Sequence, residues 1–157
     1  MRISKYNIRK DKETEKICLV KEKQTNYPFE KRMDNPKKIS DFFYNSPIKA
    51  DTLCEEYVWL LTTTTNNFNS LFEISHGGAN KSSFYTREVC QKALMVGATG
   101  VILIHNHPSG SLSPSKEDIL ITQQLKEAFK LIGIDFCDHI IVGNNLCYYS
   151  FLEQGRL

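Results

Sequence analysis

Between His105 and Asp118 the chain gathers two imidazoles, a hydroxyl and a carboxylate: His105, His107, Ser115 and Asp118. Residues two apart on an extended segment point to the same side, so His105 and His107 can aim both rings at one point while Asn106 points away. Two nitrogens and one oxygen suit zinc in a catalytic site, where a fourth position is left for water. Zinc lowers the pKa of such a water toward ~7 and so makes a nucleophile available at neutral pH. The expectation is one zinc ion per chain, held by His105, His107 and Asp118. A general base must still take the water's proton, so a further carboxylate has to come from elsewhere in the chain.

The elements that would position these groups can be read from the flanks. Val101-Ile102-Leu103-Ile104 is short, apolar and β-branched, bounded by Gly97 and Gly100 before it and by Pro108 and Gly110 after it. That pattern predicts a buried strand ending at His105. Pro108, Gly110 and Pro114 force a loop, and Ser113-Pro114 offers an N-cap and a first-turn proline for a helix. The helix should carry an apolar stripe at Ile121, Leu125, Ala128 and Ile132 and stop at Gly133. Running the stripe backward by threes reaches Asp118 and Ser115, which places both polar groups inward at the helix start. A buried carboxylate there costs several kcal/mol unless it is ligated or hydrogen-bonded. Ser115 and Asp118 also fit a capping box, and a histidine at a strand end is commonly a hydrogen-bonded structural residue. Convergence of three ligands at one strand-loop-helix junction favours the metal.

His-x-His, seven residues, Ser, two residues, Asp, with a distant Glu on an earlier strand, resembles the JAMM (MPN+/JAB) metalloprotease signature. The flanks running from Val101 to Gly110 and from Asp138 to Gly143 resemble its RadC branch more narrowly, and the resemblance covers roughly residues 56–157. It implies a zinc-dependent hydrolase that cleaves a peptide, isopeptide or related amide bond in a protein or peptide substrate. It also implies Glu56 as the general acid/base, taking the water's proton and passing it to the leaving amine, and Ser115 as the donor to the tetrahedral oxyanion. Glu55 is adjacent and equally acidic; counting back from Asn67, which resembles the asparagine of the turn after this strand, favours Glu56. The RadC branch also carries a DNA-repair and mobile-element label, so the alternative is a DNA-associated protein with a structural or vestigial metal site. His-Asn-His is not the spread-out HNH nuclease motif, and the His-x-Glu and Pro-Cys-x-x-Cys of zinc deaminases are missing.

The 157 residues, 41% hydrophobic, are enough for one compact domain without disulfides. The expected fold class is α/β (α+β): a single JAMM/MPN-type domain with a mixed β-sheet packed against helices in cytidine-deaminase-like layers. Residues 1–50 read as a polar N-terminal extension with a short strand and helix, and residues 51–157 as the RadC-like JAB/MPN+ domain. In the extension, Ile17-Cys18-Leu19-Val20 is expected as an edge strand, and Asn35-Pro36 opens a helix with Ile39, Phe42 and Phe43 on one face. A strand from Glu56, a turn at Asn66-Asn67 and a strand over residues 68–75 suggest a hairpin, broken at His76-Gly77-Gly78 with His76 in a loop. Thr86, standing where the family has proline, is expected to N-cap a helix that buries Val89, Ala93 and Val96 and stops at Gly97. Residues 136–142 and 147–151 read as closing strands; Asp138-His139 resembles the same pair in the RadC branch, which implies either a role supporting the metal ligands or a hydrogen-bonded core role, the core role being favoured.

A net charge of +2 gives no support for nucleic-acid binding. The five cysteines, Cys18, Cys54, Cys90, Cys137 and Cys147, are odd in number and form no CxxC pair, which suits a reducing compartment. No signal-peptide pattern opens the chain and no apolar run nears membrane-spanning length, so a cytoplasmic protein with no membrane partner is expected. The sequence names neither the substrate nor the number of subunits.

Overall fold

The computed structural model describes residues 2–26, 30–45, 55–77 and 84–157, so the 50/51 boundary and Cys54 lie outside the described residues. The chain passes through β1 (Arg2–Lys10), β2 (Ile17–Asn26), α1 (Pro36–Asn45), β3 (Glu56–Thr64), β4 (Asn67–Gly77), α2 (Thr86–Met95), β5 (Gly100–Asn106), α3 (Lys116–Leu131), β6 (Asp135–Val142) and β7 (Tyr148–Ser150). The strands form one mixed seven-stranded sheet in the order β2-β1-β4-β3-β5-β6-β7.

Period-2 alternation on β3 and β5 divides the core into two layers. Trp59, Leu61, Ile102 and Ile104 face α1, where Ile39, Phe42 and Phe43 cover them. Val58, Leu60, Val101 and Leu103 face α2 and α3, packing with Val89, Ala93, Leu125 and Phe129. His105 continues the second set and so emerges under the start of α3; Asn106 continues the first. The mixed α/β class and the helices on both faces agree with the sequence expectation.

Several local expectations need correction. The first strand, β1, carries only three apolar residues, Ile3, Tyr6 and Ile8, spaced three and two apart, so it lacks the period-2 alternation that marks a strand; it pairs antiparallel with β2 and lies parallel to β4 at Lys5↔Leu71. The β3–β4 turn has Thr65 at φ 49° and Asn66 at φ 64°, the paired positive values of a two-residue hairpin turn. Strand β4 runs on through His76, which pairs with Tyr57, stacks on its ring at 5.5 Å and binds Glu73 at 2.6 Å. Its ladder partner on β3 keeps it in the sheet despite the following glycine.

Helix α2 is capped by Tyr85 without a side-chain bond, and Thr86 is its first residue. Val89 and Ala93 are buried as expected, whereas Val96 is only half-buried. The N-cap of α3 is Ser115, not Ser113. Its buried face is Asp118, Thr122, Leu125 and Phe129, while Ile132 is exposed. The true stripe spaces four, three and four like the expected one but includes Thr122, a polar residue that an apolar count passes over.

Candidate metal centre

His105 and His107 sit at the C-terminal end of β5, and Asp118 reaches them from the first turn of α3. His105 Nε2 lies 3.0 Å from His107 Nε2 and 3.2 Å from Asp118 Oδ1, and His107 Nε2 lies 3.3 Å from Asp118 Oδ2. Ligands bound tetrahedrally to zinc at about 2.0–2.1 Å stand ~3.3 Å from one another. The three side chains therefore already have the mutual spacing of a metal's first coordination sphere, and they form a group able to hold a metal ion.

Hydrogen bonds at the far side of each ring say which nitrogen is free. His107 Nδ1 lies 2.8 Å from the Ser111 carbonyl oxygen. A carbonyl only accepts, so that nitrogen carries a proton, and in the neutral ring Nε2 keeps its lone pair. His105 Nδ1 meets His139 Nε2 at 2.8 Å. His139 is fully buried and stacks on Phe151 at 4.7 Å. The sequence favours a core role for it and leaves a role supporting the metal ligands open; His139 is a core residue that also touches the His105 ring. The signal that could have found it is the Asp138-His139 pair, but its contact with His105 depends on parallel β5–β6 pairing, with Leu103 opposite His139. Asp138 supports the same corner, accepting hydrogen bonds from Ser150 Oγ at 2.6 Å and from the Leu152 N–H at 3.0 Å. Burial pushes its carboxyl above the ordinary range against those bonds.

The electrostatics favour positive charge at the centre. Burial works against ionisation of Asp118, yet hydrogen bonds with His105, His107 and Ser115 hold its carboxyl far below the usual range. The hydrogen bond to Asp118 raises the pKa of His107 against the effect of burial, and the Glu56 charge adds to the rise. His139 is shifted the other way, well below its ordinary value, chiefly by burial.

Ser115 and Asp118 form a reciprocal capping box: the Ser115 hydroxyl and N–H both donate to Asp118 Oδ2 at 2.7 Å, and the Asp118 N–H donates to Ser115 Oγ at 3.1 Å. One carboxylate thus closes the capping box and also faces the two imidazoles. Strand β3 runs antiparallel to β5 with Val58 opposite His105. Continuing that register by two residues sets Glu56 opposite His107 on the same face. Asn106, whose side chain turns from the ligands, reaches across to this strand: it accepts from the Tyr57 N–H at 2.9 Å and donates to the Glu55 carbonyl at 3.0 Å. Its amide thereby grips the backbone on either side of Glu56, a tie the sequence did not reveal. His76 is not part of the metal-capable group.

A mixed sheet layered between helices, with an imidazole pair and a carboxylate converging beyond a central strand, defines an α/β domain of the JAB type with a metal-capable centre. The chain belongs to the RadC-like JAB domain family, whose pattern it matches over residues 33–156. It is 40% identical over 126 residues to a UPF0758 protein of Trichlorobacter lovleyi, covering 80% of this chain and 54% of that protein. It is 38% identical over 125 residues to a UPF0758 protein of Methanosarcina mazei, with 80% and 53% covered. A Thermotoga maritima UPF0758 protein is 37% identical over 121 residues, with 72% and 54% covered. The chain thus spans about half the length of the curated relatives it matches. No described helix is long and apolar enough to cross a membrane, and Cys18, Cys90, Cys137 and Cys147 are free thiols.

Proposed function

We propose that this chain is a zinc-dependent hydrolase of the JAMM type, acting on a peptide, isopeptide or related amide bond in a protein or peptide substrate. The observation that carries the reading is the spacing of His105 Nε2, His107 Nε2 and an Asp118 oxygen at 3.0–3.3 Å, with both Nε2 atoms turned to one point. Two unprotonated nitrogens at that separation repel each other unless a cation or a proton stands between them. Zinc held there supplies a Lewis acid that lowers the pKa of water and polarises a carbonyl.

The rest of the reaction falls to the chain's own groups. Glu56, on the face shared with His107, takes a proton from the attacking water and hands it to the leaving amine. Ser115 donates to the oxygen that gains negative charge. Its single hydroxyl proton is engaged by Asp118 Oδ2, so that bond must open before the hydroxyl can serve the oxyanion. The free thiols support a reducing compartment such as the cytoplasm.

Elemental analysis of protein purified without added metal, on wild type and His107→Ala side by side, tests the first half of this reading. One zinc per chain, lost in the variant, is the expected result; no metal in either would remove the hydrolase reading and favour a non-catalytic, DNA-associated domain. The second half predicts that Glu56→Gln keeps its zinc while amide hydrolysis falls by about 10²–10⁴-fold. Equal turnover in the variant would exclude Glu56 as the base.

A further inference from the structure

A chain of three buried contacts runs behind His105, away from its ligating side. His105 Nδ1 meets His139 Nε2 at 2.8 Å, His139 Nδ1 meets Thr122 Oγ1 at 2.6 Å, and Thr122 Oγ1 lies 2.5 Å from the backbone carbonyl of Asp118. Thr122 is 3% exposed and His139 0%, so the chain is sealed from solvent. The direction of every proton follows from its one fixed end. A carbonyl oxygen only accepts, and two oxygens 2.5 Å apart need a proton between them, so the Thr122 hydroxyl donates to Asp118 O. Having one proton, that hydroxyl must accept from His139, which places the His139 proton on Nδ1. His139 Nε2 is then an acceptor and His105 Nδ1 its donor. His105 Nε2 is left with a lone pair, 3.0 Å from His107 Nε2.

We propose that Thr122 and His139 are positioning residues that fix the tautomer of His105, so that metal affinity depends on a hydroxyl and an imidazole that never touch the metal. The inference rests on the zinc reading above. It also gives the helix start two ties to one centre. Asp118 supplies a ligand oxygen from its side chain, and its backbone carbonyl is the terminus that orients the other ligand's ring. Outer groups that orient a metal-bound histidine typically alter metal affinity by about 10–100-fold when removed.

The near-isosteric Thr122→Val removes the hydroxyl and keeps the branched side chain, and Thr122→Ser restores the hydroxyl. Zinc affinity is read by competition with a chelator. Long-range imidazole 1H–15N spectra, recorded with and without zinc, read the tautomers directly. The expected wild-type pattern is protons on Nδ1 of both His105 and His139. Thr122→Val should lower zinc affinity by roughly 10–100-fold and let His139 populate its other tautomer, and Thr122→Ser should recover both readouts. A merely structural role for Thr122 would leave the tautomers of the folded variant unchanged. Wild-type His139 protonated on Nε2, or Thr122→Val indistinguishable from wild type in both readouts, overturns the proposal. A wild type that binds no zinc overturns the hydrolase reading instead, and the zinc-free spectra still decide whether the proton order is right.

Discussion

The β1–β2 hairpin and the β5 strand belong to one sheet but are held by different forces. Strand β5 is buried at every residue from Gly100 to Asn106 and is covered by helices on both faces. In the hairpin, among the described residues, only Ile3 and Ser4 are buried. The rest of the hairpin is held by its antiparallel backbone ladder and by Tyr6 and Leu19, half-buried against the core, and charged side chains tie its surface: Lys5 reaches Glu73 at 2.8 Å and Glu22 at 3.7 Å, and Arg9 reaches Glu22 at 3.1 Å. The charges along β2 also discourage edge-to-edge pairing with another chain. The family match begins at residue 33, beyond the hairpin. His105 stands on the dry, densely packed strand β5, where the backbone has little freedom to shift, and His107 directly follows it.

The contrast yields graded tests. Phe129, fully buried and stacked on Phe136 at 6.0 Å, anchors α3 against the site's side of the sheet. Phe129→Ala should cost about 3–5 kcal/mol and lower the melting temperature by on the order of 10 °C, measured by calorimetry. A loss below about 1 kcal/mol would show that α3 is held chiefly by its polar ties to β6. Asn106→Ala leaves the Tyr57 N–H and the Glu55 carbonyl without their partner, which should cost about 1–3 kcal/mol. His105, His107 and Asp118 are untouched by that change, so under the proposed zinc-hydrolase reading metal content is expected to stay at the wild-type level while turnover falls with the loosened Glu56. Zinc lost together with stability would instead mean that the Asn106 tie supports the ligands as well.

The smallest effect belongs to the hairpin. Burial opposes ionisation of Glu73, but bonds from Lys5 and His76 lower its pKa below the ordinary value. A carboxylate depressed in the folded state binds fewer protons there than in the unfolded chain. Its contribution is therefore complete above the unfolded pKa and disappears as pH falls through the folded one. Glu73→Gln should cost about 1 kcal/mol or less near neutral pH, and the gap in melting temperature from wild type should close as the solution is acidified below about pH 4. A gap that is constant with pH would assign the difference to packing and not to the ion pair.

Much of the centre was legible from local pattern. The two-residue spacing of His105 and His107 on an apolar strand required their rings to share a face, and helical spacing brought Asp118 inward. The start of α3 was misjudged by two residues because Ser113 and Ser115 are both sound caps before a helix. What distinguishes them is the return bond from Asp118 to Ser115, and the sequence reading recognised that pairing as an alternative. The face of α3 was shifted because Thr122 is polar, and a search for apolar periodicity favours Ile121 beside it. Strand β1 was hidden because Ile3, Tyr6 and Ile8 follow no single period, and its Lys5 becomes informative only when Glu22 and Glu73 lie across from it.

The sequence by itself determined which side chains converge, the strand end that presents His105 and His107 and the helix that carries Asp118, since these depend on backbone periodicities within a few turns of chain. Only the tertiary structure decided what stands behind those ligands. His139 meets His105 because β5 and β6 pair in parallel with a register offset at Val101/Ile102, and Asn106 meets the backbone beside Glu56 because β3 and β5 pair antiparallel. Such contacts join residues 34 and 49 to 51 positions apart, and the register that creates them is set by the two-sided core as a whole.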